Sequence, residues 1–225
     1  MENMIDVRDL SLVVKGETLL DHVCYCCEKG MIHGIVGRNG SGKTLLMKCI
    51  CGFIHPTEGK ISVNGKRIGK EMDFIDNAGI IIETPGFIPY YSGYKNLKIL
   101  ADIQGKINRE QIRLAMQQVG LDSESKKRVG TYSLGMKQRL GIAQAIMEDP
   151  EIIILDEPFN GLDKQGVIEI RQFLLSLKQQ NKTILLSSHN EQDIEILCDT
   201  VIEMDHGNIT KLPINSGGLL GINIR

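Results

Sequence analysis

Apolar residues return often enough at every second position over Met4 to Leu12 and Leu19 to Cys27 to predict two antiparallel strands. Ile32 to Val36 reads as a buried strand, and a helix follows from Thr44 to Ile50. Ile61 to Ile68 predicts a hairpin, because Asn64-Gly65 supplies the two positive φ angles of a type I′ turn. Ala78 to Ile82 is another buried strand, and beyond it the pattern is helical as far as Pro150. There Asn108 and Gln111 form a capping-box pair, Ile112, Ala115, Met116 and Val119 share one helical face, and Gly120 ends it. Met136, Leu140, Ala143 and Met147 mark a further helix face. Strand Ile152 to Leu155, helix Gln165 to Gln180, strand Thr183 to Ser187 and a short helix after His189 then alternate, and Val201 to Met204 and Asn208 to Leu212 read as closing strands.

Such alternation predicts a parallel sheet with helices on its faces. The expected fold class is α/β: a core with a parallel sheet, an antiparallel β subdomain and a helical subdomain. At 225 residues the chain suits one domain with subdomains. Residues 1–87 and 150–212 are expected to form the core with its β layer, 88–149 the helical insert, and 213–225 a tail.

A formal charge of −2 and the lack of a Lys/Arg block argue against nucleic acid as a partner. No apolar stretch approaches the ~20 residues needed to cross a bilayer. Acidic residues stand where a signal peptide needs a basic start, so a cytoplasmic chain is expected. The six cysteines are expected to be reduced and to serve as small buried hydrophobes rather than metal ligands or disulfides.

The chemistry begins at Gly37-Arg38-Asn39-Gly40-Ser41-Gly42-Lys43-Thr44, which fits G-x-x-x-x-G-K-[ST] between a strand and a helix. Backbone N–H groups of such a loop and the helix N-terminus can face phosphate oxygens, so Arg38 to Leu45 are candidate ATP-binding residues. Lys43 is expected to reach the β and γ phosphates and the Thr44 hydroxyl to bind magnesium. Asp156 and Glu157 end the strand Ile152 to Leu155, at the sheet edge where such a ligand sits. Asp156 suits Mg²⁺, and Glu157 suits the attacking water. His189 ends the next strand and is placed to sense the γ phosphate. Ser133, Gly135 and Met136 open a helix and offer a second anion cradle. One nucleotide cannot occupy both cradles of one chain. The second is therefore expected to close over the ATP of another copy in a head-to-tail dimer.

Taken together, these motifs resemble the ATP-binding subunit of an ABC transporter over nearly the whole chain. Ser133-Leu134-Gly135-Met136-Lys137-Gln138 stands where that family commonly has Ser-Gly-Gly-Gln. The resemblance implies that the core is a phosphate-loop NTPase, that Asp163 lies in the loop crossing between subunits and that His189 is the switch histidine; the head-to-tail dimer is expected to be a homo- or heterodimer. It also implies a membrane permease docked between the core and the helical insert, with the chain peripheral at the cytoplasmic face of the cell membrane. Two positions depart from the pattern. Val14 stands near the position where the family has an aromatic stacked on adenine, and Glu83, in Ile82-Glu83-Thr84-Pro85, replaces the usual Gln. Glu83 is accordingly a third candidate metal ligand beside Thr44 and Asp156. The Ile-Glu-Thr-Pro form, followed by Tyr94-Lys95-Asn96-Leu97, is similar to the ATPases of bacitracin and lantibiotic self-protection exporters. The expected function is an ATPase powering export through a separate permease. The alternative is a non-transport ABC ATPase acting in assembly or translation.

Overall fold

The computed structural model describes residues 2–215 and 218–219, with 214, 215, 218 and 219 described by backbone alone. Of the tail expected over 213–225, residues 216, 217 and 220–225 lie outside the described residues. Strands β1 (Asn3–Val14) and β2 (Glu17–Glu28) pair antiparallel, and β3 (Ile32–Val36) leads through the glycine loop into helix α1 (Lys43–Cys51). The hairpin β4 (Glu58–Val63) and β5 (Lys66–Arg67) turns at Asn64 and Gly65, whose φ angles of 48° and 75° are those of the expected tight turn. After β6 (Ala78–Ile81) come α2 (Gly93–Gln104), α3 (Arg109–Gln118) and α4 (Leu134–Ile146). The chain then alternates through β7 (Ile152–Leu155), α5 (Lys164–Gln179), β8 (Thr183–Ser187), α6 (Glu191–Leu197), β9 (Thr200–Asp205) and β10 (Asn208–Leu212). A short antiparallel pair, β11 (Ile214–Asn215) and β12 (Gly218–Leu219), follows.

Two sheets organise these elements. One is antiparallel in the order β2-β1-β4-β5, and the other has the order β10-β9-β3-β8-β7-β6, parallel from β9 to β6. The centre of the second sheet is covered on both faces, which is why β3, β7 and β8 are nearly continuous buried runs. Successive residues of β7 serve opposite sides. Ile153 and Leu155 pack into a core shared with α4, α5 and the insert, while Ile152 and Ile154 pack into a core shared with α1 and the antiparallel sheet.

The insert is joined to the sheet by close backbone approach. A Cβ at Gly79 of β6 would lie 1.8 Å from the Ala145 carbonyl oxygen, so only glycine lets α4 seat there. At its other end, Asn96 fixes the entry to α2 by accepting from Ile88 N and donating to the Ile88 and Ser92 carbonyls. The capping box expected at Asn108 and Gln111 is formed, each side chain accepting from the other's backbone N–H.

The cysteines follow the expected pattern except at one strand. Cys27, Cys49, Cys51 and Cys198 are buried, Cys26 is half-buried and Cys24 is exposed. Cys24 and Cys27 have the spacing C-x-x-C, but in an extended strand such positions face opposite sides. Burial pushes the Cys27 thiol up to about 12, as it does those of Cys49 and Cys51, so these behave as inert hydrophobes. Among the described residues no helix is long and apolar enough to cross a membrane.

Candidate functional site

The glycine loop gets its shape from three positive-φ glycines, Gly37, Gly40 and Gly42, of which Gly37 is the most constrained. A Cβ there would lie 2.2 Å from the Met204 carbonyl oxygen and 2.8 Å from Ser41 Oγ. The loop encloses a cavity of about 210 Å³ lined by Asn39 to Leu45 together with Asp156 and Glu157. Its lysine is turned inward: Lys43 Nζ donates to the Gly37 carbonyl at 2.6 Å and to that of Arg38 at 3.0 Å. Burial lowers the Lys43 pKa, and the charges of Glu157 and Asp156 oppose that shift. Ser41 Oγ is buried without a hydrogen-bond partner. An orphan hydroxyl and an ammonium resting on loop carbonyls, at the start of a helix, are what a polyphosphate would satisfy.

The strand ends bring the carboxylates to this loop. Asp156 is held from two sides: Thr44 Oγ1 donates to its Oδ2 at 2.7 Å and Ser187 Oγ to its Oδ1 at 2.6 Å. Ser187 Oγ also accepts from Glu157 N at 2.8 Å, so one hydroxyl sets both acids. Glu157 has a left-handed backbone, φ 51°, and its Oε2 lies 2.8 Å from His189 Nδ1. Behind His189, Ser188 Oγ donates to Asp193 Oδ2 at 2.9 Å, and Asp193 Oδ1 accepts from Arg171 Nε at 2.8 Å and from Arg171 Nη2. That network fixes the end of β8 to α5 and α6.

The remaining candidates lie around this centre. Ser133 is the N-cap of α4, its Oγ accepting from Met136 N at 3.2 Å. Asp163 caps α5 by accepting from Gly166 N at 2.9 Å. A Cβ at Gly135 would lie 2.6 Å from the Gly161 carbonyl oxygen, so the helix start packs directly on the segment before Asp163. Val14 ends β1, half exposed, and does not line the loop cavity. Glu83 is not among the groups holding Asp156. Its Oε1 accepts from Lys48 Nζ at 2.6 Å, while the residue borders a second cavity of about 330 Å³ that also includes Lys137, Gln138, Asp156 and Glu157. Three residues were not anticipated: Ser187, Lys48, and Gln138, whose Nε2 donates to the Glu157 carbonyl at 3.4 Å. The hydroxyl of Ser187 was visible beside His189 in the chain, but its role depends on the register that sets β8 beside β7.

The family pattern described as ABC transporter matches residues 20–160, from β2 through the glycine loop and the insert to the acids after β7. The chain belongs to the ABC transporter family. It is an ATP-binding subunit of that family and an ABC-type ATPase. Similar proteins include the uncharacterized ABC transporter ATP-binding protein YybJ of Bacillus subtilis (strain 168), 43% identical, covering 92% of this chain and 94% of YybJ. The bacitracin transport ATP-binding protein BcrA of Enterococcus faecalis is 41% identical, covering 94% of this chain and 69% of BcrA. A solved ATP-binding subunit of an ABC transporter superposes with a TM-score of 0.82 at 28% identity, covering 92% of this chain and 89% of that one. The fold expected from the motifs is therefore the fold observed.

Proposed function

We propose that this ABC ATPase powers export of an antimicrobial peptide or related amphipathic compound through a separate permease at the cytoplasmic face of the membrane. The observation that carries this reading is the loop after β6. Thr84 and Pro85 line both the cleft with Asp156 and Glu157 and a groove of about 650 Å³ between core and insert, bordered by Phe53, Ile103, Gln144 and Glu148. A change at the nucleotide therefore has a short path to a groove able to receive a permease segment. The Ile-Glu-Thr-Pro loop and the likeness to BcrA support a peptide antibiotic as cargo.

In this reading the phosphates are bound by the loop N–H groups, Lys43 and Ser41. Magnesium, when bound, supplies Lewis-acid stabilisation of the transferring phosphoryl group, and Thr44 and Asp156 are the residues that would hold it. The fit rests on their oxygens already converging, with Ser187 fixing the second Asp156 oxygen. Glu157 orients or deprotonates the attacking water, and His189 holds Glu157 in place. Ser133, Gly135 and Met136 would complete the site of a second copy, since they stand outside the lining of this chain's own loop cavity. Co-purification of the tagged chain from its native membranes with a polytopic membrane protein tests the reading. Recovery with soluble partners alone would overturn it.

A further inference from the structure

Charge is divided unevenly along the chain. Residues 88–149, which hold the helical insert, contain ten Lys and Arg against six Asp and Glu, a formal charge of +4, while the rest of the chain carries −6. Several of the insert's cations are matched by a carboxylate: Lys98 by Asp102, Lys106 by Glu148, Arg113 by Glu124 and Arg139 by Glu169. Among the described residues, Lys95, Lys126, Lys127 and Arg128 have no ion-pair partner, and all four are exposed. Of the two acids in the loop that carries the last three, Glu124 is paired with Arg113, which leaves Asp122 against three adjacent cations.

The backbone brings these cations to one place. Ser92 and Arg128 form an antiparallel bridge, Val129 N donates to the Tyr91 carbonyl at 2.8 Å, and Gly130 N donates to that of Pro89 at 2.9 Å. Segment 126–128 is therefore held beside the segment that enters α2. The second segment adds apolar surface: Tyr90 is 75% exposed and Ile88 39% exposed, and Lys95 Nζ lies 3.7 Å from the centre of the Tyr91 ring.

Unpaired cations beside exposed tyrosine and isoleucine match the interface of an anionic bilayer. Lys and Arg are drawn to its phosphate headgroups, and tyrosine settles at headgroup depth. A flat membrane touches one side of the molecule only, so the acidic remainder can face away from it. We propose that segments 88–95 and 126–128 together form a docking surface for an anionic lipid headgroup layer, by which the chain binds the membrane without its permease. Thr84, Pro85 and Gly86, which line the groove between core and insert, precede this surface directly in the chain, so docking there keeps the groove close to the bilayer. This goes beyond the transport reading and does not depend on it.

Sedimentation of the purified full chain with lipid vesicles tests the proposal. At low salt the chain should bind vesicles containing about one-third phosphatidylglycerol and should not bind vesicles of phosphatidylcholine alone. Each Lys or Arg near such a surface is worth roughly fivefold in affinity, so Lys126→Gln/Arg128→Gln should bind roughly ten- to thirtyfold more weakly. Lys60→Gln/Lys66→Gln, an equal loss of charge from exposed positions on the antiparallel sheet, should bind within about twofold of wild type. Tyr90→Ala should weaken binding and keep the wild-type salt dependence, since it removes no charge. Equal binding to neutral vesicles, equal losses in the two double variants, or association only with vesicles that carry a permease would each overturn the proposal. The lipid vesicles hold no permease, so a failed co-purification from native membranes leaves this result unaffected.

Discussion

His189 Nδ1 and Glu157 Oε2 stand 2.8 Å apart, each two residues beyond the end of one of the neighbouring parallel strands β8 and β7. The contact fixes one carboxylate oxygen and leaves the other free for a water molecule. It also leaves the second imidazole nitrogen free for a phosphate oxygen.

Glu157→Gln keeps the shape of this contact and removes the base. ATP should still bind while hydrolysis falls by roughly 10²- to 10⁴-fold, the usual contribution of a general base. Phosphate release and gel filtration in Mg-ATP measure the two effects. The variant should retain ATP and run as a dimer, and unchanged turnover would remove Glu157 from the catalytic role.

Arg171 tests the support behind His189. Its removal leaves the carboxylate of Asp193, 2% exposed, without its cation in the interior. Arg171→Ala should therefore destabilise the chain by about 3–5 kcal/mol, the cost of stranding a buried charge. Urea unfolding measures it, and a loss within the range of surface substitutions would mean that Asp193 finds water.

Much of this site was legible because its chemistry is local in the chain. The glycine loop, Asp156-Glu157 and Ser133-Leu134-Gly135 each carry their geometry in a few consecutive residues, and the strands beneath them are short apolar runs that leave little choice of element. What could not be read depends on which elements lie side by side. Lys48 and Glu83 are 35 positions apart, and nothing in either segment shows that α1 passes beneath loop 82–86. Ser187 likewise gains its hold on both acids from the parallel register of β7 and β8. The cysteines show the same limit, because a crowded strand does not reveal that Cys24 faces solvent and Cys27 the core.

Val14 bears on nucleotide affinity. Aromatic stacking on a base is worth ~1 to 3 kcal/mol, so Val14→Tyr should tighten ATP binding by roughly fivefold to a hundredfold if residue 14 faces adenine. Titration calorimetry decides it, and no gain would mean that another residue covers the base.

His33 makes stability sensitive to acid. The ring is fully buried in β3, with Nδ1 2.6 Å from Thr200 Oγ1 and Nε2 3.0 Å from the Glu28 carbonyl, and burial lowers its pKa below the ordinary 6.5. The unfolded chain therefore takes up a proton that the folded chain refuses. Stability is full above about pH 6.5 and falls on acidification below it, until the folded-state value is passed. One such group contributes at most about 1.4 kcal/mol per pH unit. His22, raised by its bond to Asp9, acts in the opposite sense, so the His33 contribution is read as the difference between wild type and His33→Gln. Urea midpoints from pH 7.5 to 5.5 should fall less steeply in the variant, and parallel curves would contradict the assignment.

Hydrolysis at Asp156 and Glu157 is proposed to drive transport through a permease. Inverted membrane vesicles carrying the partner permease, loaded with wild type, Glu157→Gln or Glu83→Ala, measure ATP turnover and peptide-antibiotic uptake in one preparation. Wild type should couple the two. Glu157→Gln should remain bound to the vesicles and lose both, and Glu83→Ala should still bind ATP but lose uptake out of proportion to turnover. Uptake at the wild-type rate in Glu157→Gln vesicles would show that transport does not depend on hydrolysis at this site.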